Sequence, residues 1–217
     1  MGMELYHLLN RGVDKRKIVL DDHDRVRFVH DLFAFNSTAS SLNFEQPERQ
    51  LEQHRAHERL VDIHAFCLMG NHYHLLVSEV IERGISLFMQ KLNMGYSKYF
   101  NERHGRTGAL WQGRFKKIRI SRDAHFLYIP YYIHLNPLDL AMPEWRDGKV
   151  KNASRALNFL RAYRWSSHLD YIGEKNFPSI TRRDFLSDIF QTRKMYEKEI
   201  ANIICTSSLA GSSVLIE

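Results

Sequence analysis

The spacing of apolar side chains changes several times along the chain, and each change predicts an element. Residues 4–10, "ELYHLLN", alternate as a strand does and end at Arg11-Gly12, a turn signal. A short extended piece, "KIVL", follows. Acidic residues then open a helix expected from about Asp22 to Asn36, with Phe28, Val29, Leu32, Phe33 and Phe35 along it. "VDIHAFCLM" and "HYHLLVSEV" are apolar runs divided by Gly70-Asn71, which predicts two central strands joined by a tight reversal. From Ile85 the period lengthens: Ile85, Phe88, Met89, Leu92, Tyr96, Tyr99 and Phe100 make a helical stripe that ends near Gly105. "FKKIRIS" alternates as a fourth strand. "RDAHFLYIPYYIHL" reads as a helix stopped at Asn136-Pro137, because proline disfavours helical geometry in the residue before it. Pro130 lies inside this helix and is expected to kink it about one turn before Tyr132.

The order strand, helix, paired strands, helix, strand, helix implies an α+β sandwich with helices on one face of an antiparallel sheet. Residues 37–60 are polar and poorly patterned, so they read as an insertion or long loop within a domain spanning 1–140. Residues 141–196 read as a mostly helical C-terminal extension packed on that domain. Residues 197–217 read as a tail, small and polar in its final "TSSLAGSSVLIE".

Charge sharpens this picture. The chain of 217 residues carries a formal charge of +6, which favours a polyanionic partner. From Arg103 to Arg122, "RHGRTGALWQGRFKKIRISR" contains no acid, and Trp111 and Phe115 sit among its cations. Such a stretch can hold phosphates and stack bases. It can equally be a solvated loop and edge strand with Trp111 in the core. No window is long and apolar enough to span a bilayer, and Cys67 and Cys205 lie far apart without metal-type spacing, so a cytoplasmic protein with reduced thiols is expected.

Candidate chemistry starts at "NHYHLLV". On a strand, residues i and i+2 share a face, so His72 and His74 project together while Tyr73 and Leu75 turn to the other side. Two imidazoles can share one metal ion, or each can be hydrogen-bonded within the sheet. A metal needs a further donor, and "YYIHLNP" is the best supplier. Tyr132 and Asn136 are four apart on a helix, with Cβ atoms about 5–6 Å apart on one face. The asparagine oxygen can complete a metal shell beside a phenol able to attack a phosphorus. The plain alternative makes the tyrosines core packing and Asn136 a helix terminus. His64, on the strand paired with the His72 strand, is expected in a core or supporting role, and His134 points away from Tyr132.

Taken together and in order, "MGNHYHLLV", "GALWQGRFKKIRI", "YIHLNPL" and "YRWSSHLDYIG" resemble the single-tyrosine HUH transposases, in particular the REP-associated tyrosine transposases. "NRGVDKRKIVLDDHDRVRFVHDL" and "YSKYFNERHGRTGALWQGRF" are similar as well, so the resemblance spans about residues 5–172. It implies a ferredoxin-like antiparallel sheet and a substrate of single-stranded DNA with palindromic hairpins. Carried over residue by residue, it implies His72, His74 and Asn136 as metal ligands and Tyr132 as the nucleophile that forms a 5′-phosphotyrosine and frees a 3′-OH. Mg²⁺ or Mn²⁺ suits phosphate and amide oxygens, although two imidazoles also accept Zn²⁺ or Co²⁺. Arg11, Arg114, Lys116 and Lys117 are candidate phosphate contacts, with Trp111 a candidate stacking platform. A phenol, with pKa about 10, is a weak nucleophile near neutrality, and a Lewis acid on the phosphate with cations nearby would compensate. Relatives of this kind occur as monomers or homodimers, and both stay open. Two rival readings are a catalytically silent binder of structured DNA or RNA, and a histidine–metal phosphoesterase that uses water.

Overall fold

Residues on the first strand sort cleanly between two sides of a sheet, and that sorting sets the layering. The computed structural model describes residues 3–38, 58–121 and 123–206. In it, β1 (Leu5–Arg11), α1 (Asp22–Ala34), β2 (Val61–Leu68), β3 (His72–Glu79), α2 (Gly84–Arg103) and β4 (Lys116–Ile120) follow in order. The strands form one antiparallel sheet in the order β2-β3-β1-β4, the ferredoxin-like arrangement.

Leu8, Tyr73, Leu75 and Val77 pack on one side with Phe28, Val29 and Leu32 of α1 and Phe88, Leu92 and Tyr96 of α2. Leu5, Ala65, Cys67 and Leu76 pack on the other with α3 (Asp123–Leu135) and the C-terminal helices. The expectation of helices on one face is therefore corrected to helices on both. The physical reason is legible in β3, whose residues from Tyr73 to Val77 are all buried, as a strand covered twice requires. A bulge between Ile63 and Ala65 shifts the parity of β2, so Val61 and Ile63, then Phe66 and Leu68, lie on one side.

Local chemistry explains the joints. Asp21 caps α1 by accepting from the Asp24 N–H, with Asp22 and Asp24 in the first turn. "KIVL" is not a strand; the Ile18 and Val19 N–H groups instead both donate to the Gly70 carbonyl. Gly12 is required because a Cβ there would stand 2.3 Å from the Arg16 carbonyl oxygen. Most of the 37–60 insertion lies outside the described residues, but its base is closed. Asn36 Oδ1 accepts from Leu60 N and Val61 N, and Thr38 N donates to the Glu58 carbonyl. Helix α3 runs unbroken through Pro130.

Beyond α3 come two 3-10 segments, Asn136–Leu140 and Pro143–Asp147, then α4 (Ala153–Ala162), α5 (His168–Tyr171), α6 (Asp184–Phe190) and α7 (Arg193–Thr206). The tail expected from residue 197 is corrected: α7 continues to Thr206 and buries Tyr196, Ile200, Ile203 and Ile204, a helical stripe. The final residues, 207–217, lie outside the described ones. Between α4 and α6 the chain runs along the edge of β2. Leu68 N donates to the Trp165 carbonyl and Ser167 N to that of Phe66, while the Tyr163 and Tyr171 hydroxyls donate to the carbonyls of Leu68 and His64. The "YRWSSHLDYIG" stretch thus covers one sheet edge. β4 keeps the other, dressed with Lys116, Lys117 and Arg119, and charge of this kind discourages edge pairing. No helix among the described residues is long and apolar enough to cross a membrane.

Candidate active site

β3 presents His72 and His74 on the face covered by α3. Their rings are 4.9 Å apart, centroid to centroid, and nearly perpendicular. The register sets Arg11 of β1 opposite His72 and Leu9 opposite His74, which puts His7 on the same face, diagonally beside His74. His7 Nε2 lies 2.9 Å from His74 Nδ1, with the two ring planes only 14° apart. His72 Nδ1 lies 2.6 Å from Asn71 Oδ1, in the turn before the strand.

From the other side, α3 brings Tyr132 edge-on to this group, 5.6 Å from His74 and 6.1 Å from His7 between ring centroids. Tyr132 and Asn136 are fully buried. Asn136 Nδ2 donates to the Tyr132 carbonyl at 2.8 Å, leaving Oδ1 as the free end of the amide. Two 3-10 segments complete the surroundings. Arg146 lies 5.3 Å above the Tyr132 ring and shares a side-chain hydrogen bond with that tyrosine. Asp139 holds Arg146 through bonds of 2.7 and 3.0 Å and also accepts from the Trp145 indole at 2.7 Å. Burial opposes the charge on Arg146, yet its bonds to Asp139 and Tyr132 more than offset this and keep it protonated.

Burial dominates the titration of the imidazoles. It pushes His7 down to about 3, and it holds His74 well below the ordinary value, aided by His7, His72, Arg146 and Arg11 nearby. Both rings are neutral near pH 7, the form that ligates metals. His74 Nε2 and Asn136 Oδ1 are buried with no hydrogen-bond partner. A buried lone pair without a partner is costly unless something else takes it. An imidazole nitrogen and an amide oxygen beside a second imidazole suit a divalent cation, so the donor chemistry fits one. Among the described residues no three His, Cys, Asp or Glu side chains gather as a metal group.

The sequence-derived residues thus divide. His72, His74 and Tyr132 come together, with Arg11 opposite His72 on the same sheet face, and Asn136 lies one turn beyond Tyr132, bonded to its carbonyl. Lys116 pairs with Leu9 and so lies on the histidine face, whereas Lys117 pairs with Leu8 and lies on the opposite one. There Lys117 sits 4.1 Å over the Tyr6 ring and 3.7 Å from Glu79. Arg114 is exposed just before β4. Trp111 is half-buried against the packing under α2, with its indole donating to the Asn93 carbonyl and its ring edge-on to Tyr73. His64 is spent on Ser78 and the Arg182 carbonyl. His134 joins Ser167 and Tyr196 in a separate buried network.

Three residues were missed. His7 carried a signal, since it stands four residues before Arg11 on the same strand and so shares its face. Arg146 and Asp139 carried none, because only the path of the chain after Pro137 returns them to Tyr132.

Comparison with known proteins adds the following. Residues 35–136 match a family model described as transposase, IS200-like. That span contains His72, His74, Tyr132 and Asn136 and leaves His7, Arg11 and Arg146 outside. A similar solved structure is that of a REP-associated tyrosine transposase bound to a REP hairpin, with a TM-score of 0.48, 16% identity, and coverage of 84% of this chain and 87% of that one. No curated protein matches the chain.

Proposed function

We propose that this chain, whose residues 35–136 carry the IS200-like transposase match, cleaves and rejoins single-stranded DNA with Tyr132 as its nucleophile. One observation carries the reading: the Tyr132 ring lies edge-on to His74, 5.6 Å between centroids in one chain, while His74 Nε2 and Asn136 Oδ1 are each buried without a hydrogen-bond partner.

The residues divide the work as follows. His72, His74 and Asn136 would hold a divalent cation, Mg²⁺ or Mn²⁺, which supplies Lewis-acid polarisation of the scissile phosphate when bound. The Tyr132 oxygen forms a bond to phosphorus as the bond from phosphorus to the 3′ oxygen breaks. The phenolic proton is lost and the departing 3′ oxygen gains one, leaving a 5′-phosphotyrosine and a 3′-OH. Attack by a 3′-OH on the phosphotyrosine reverses the step and joins strands, with no nucleotide hydrolysed. Arg146, kept charged by Asp139, steadies the Tyr132 oxygen in both directions. Tyr132 is buried beside Trp145 and Arg146, so this cover must give way before a phosphate reaches the hydroxyl. Arg11 and Lys116, on the histidine face, would hold the phosphates of the flanking strand, with Arg114 beside them in sequence order.

The test uses single-stranded hairpin oligonucleotides from palindromic repeats flanking the gene, incubated with the protein and Mn²⁺. A protein–DNA adduct that survives denaturation is expected from the wild type and none from Tyr132→Phe. An identical adduct from Tyr132→Phe removes the assignment. Salt-sensitive binding with every strand intact marks a silent binder, and cleavage without an adduct marks a water-dependent phosphoesterase.

A further inference from the structure

The His7–His74 pair is chemically incomplete as it stands, and its completion assigns a part to His7. This inference rests on the metal-site reading above. Two neutral imidazoles that share a hydrogen bond have one proton between their facing nitrogens, here His7 Nε2 and His74 Nδ1, 2.9 Å apart. If His74 Nδ1 carries that proton, His74 Nε2 is a bare lone pair. If His7 Nε2 carries it, His74 Nε2 must hold a proton and cannot ligate. The outer nitrogens of both rings, His7 Nδ1 and His74 Nε2, are buried and without partners.

Along the same face of the sheet from His7, Leu5, Ala65, Cys67 and Leu76 are buried and apolar. A histidine in such a place is costly unless its contact with His74 has a use. We propose that His7 is a positioning residue that accepts the His74 Nδ1–H and so selects the tautomer whose Nε2 presents its lone pair to a cation. Its ring, nearly coplanar with that of His74 and joined to it edge to edge, also holds the plane of the ligand. Asn71 acts alike toward His72: its Oδ1 accepts from His72 Nδ1 at 2.6 Å, while its Nδ2 is anchored on the Lys15 carbonyl at 3.2 Å. Outer partners of metal-ligating histidines commonly are carboxylates or carbonyls. A neutral imidazole in that place orients His74 without adding negative charge to a site that must admit a DNA phosphate.

Two measurements test this, one of them on the unaltered protein. Long-range ¹H–¹⁵N spectra of the full chain near neutral pH, without metal, are expected to show His74 protonated at Nδ1; protonation at Nε2 overturns the proposal. Co²⁺ alone is then titrated and followed by its visible absorption. His7→Phe is expected to weaken Co²⁺ binding by about 10–100-fold, as loss of an outer partner does, and His7→Gln, whose amide oxygen can accept, to recover most of it. A folded His7→Phe protein with unchanged Co²⁺ affinity, when His74→Ala has lost it, overturns the role of His7 alone. Full affinity in His74→Ala brings down the metal-site reading and this inference with it.

Discussion

Tyr132 and His74 meet edge to face, ring centroids 5.6 Å apart, within a single chain. The helix that carries the phenol packs directly on the strands beneath it, so one chain brings the two rings together. A strand exchange is not needed to bring the two together, and the β2 edge where a second sheet could add is already covered by residues 163–182.

Complementation tests whether one chain supplies the whole site. Mixing Tyr132→Phe chains with His74→Ala chains should leave adduct formation at the level of either variant alone. Gel analysis of the mixed sample on hairpin DNA reads this directly. Recovery toward the wild-type yield would mean that one chain lends its tyrosine to another.

The parity of β4 separates two neighbouring lysines. Lys116→Ala should weaken single-stranded DNA binding and lower the salt slope by about 0.7, the value for one lost phosphate contact. Lys117→Ala should change the slope little, because Lys117 lies on the other face with Tyr6 and Glu79. Fluorescence anisotropy across a salt series distinguishes them, and equal effects would contradict the placement.

Asp139 holds two groups at once. Asp139→Ala leaves the Arg146 guanidinium and the Trp145 indole N–H without their acceptor, which should cost about 1–3 kcal/mol in urea unfolding. Asp139→Asn keeps one acceptor oxygen and should cost less. Because Arg146 also bonds Tyr132, both variants should slow adduct formation in the same order.

Acid should loosen the C-terminal core. Burial, with Arg161 and Arg193 adding to it, pushes His168 down to about 4, and His134 is likewise held well below the ordinary range by burial and by His168. The folded value lies below the unfolded one of 6.5, so between them the unfolded chain binds more protons. Stability is therefore level above about pH 6.5, falls as pH drops toward 4, and loses about 3 kcal/mol on account of His168. Urea unfolding at stepped pH checks this, and His168→Gln should flatten part of the slope. A wild-type stability that rises on acidification would contradict the neutral buried state.

Much of the layout was legible without coordinates. The period-two alternation of β1 and β3 and the helical stripe of α2 depend only on neighbours along the chain, and they located the sheet and the α2 helix. His72 with His74, and Tyr132 with Asn136, were likewise readable, because spacings of two on a strand and four on a helix put each pair on one face. Less was readable where geometry is not local. The covering of both sheet faces followed from how helices fold back, and the bulge at His64 reversed the parity of β2 without a sequence cue. The "YRWSSHLDYIG" stretch lies in a region that read as mostly helical and loop-like, and nothing in it signalled that Trp165 and Ser167 would bond the edge of β2.

The sequence by itself determined two half-sites, an imidazole pair and a phenol–amide pair, since each arises from the repeat of one regular element. Only the tertiary structure decided that Tyr132 meets His74, that His7 stands behind His74, and that Asp139 returns Arg146 to Tyr132. These contacts join residues distant along the chain, and no local periodicity encodes which elements will pack together.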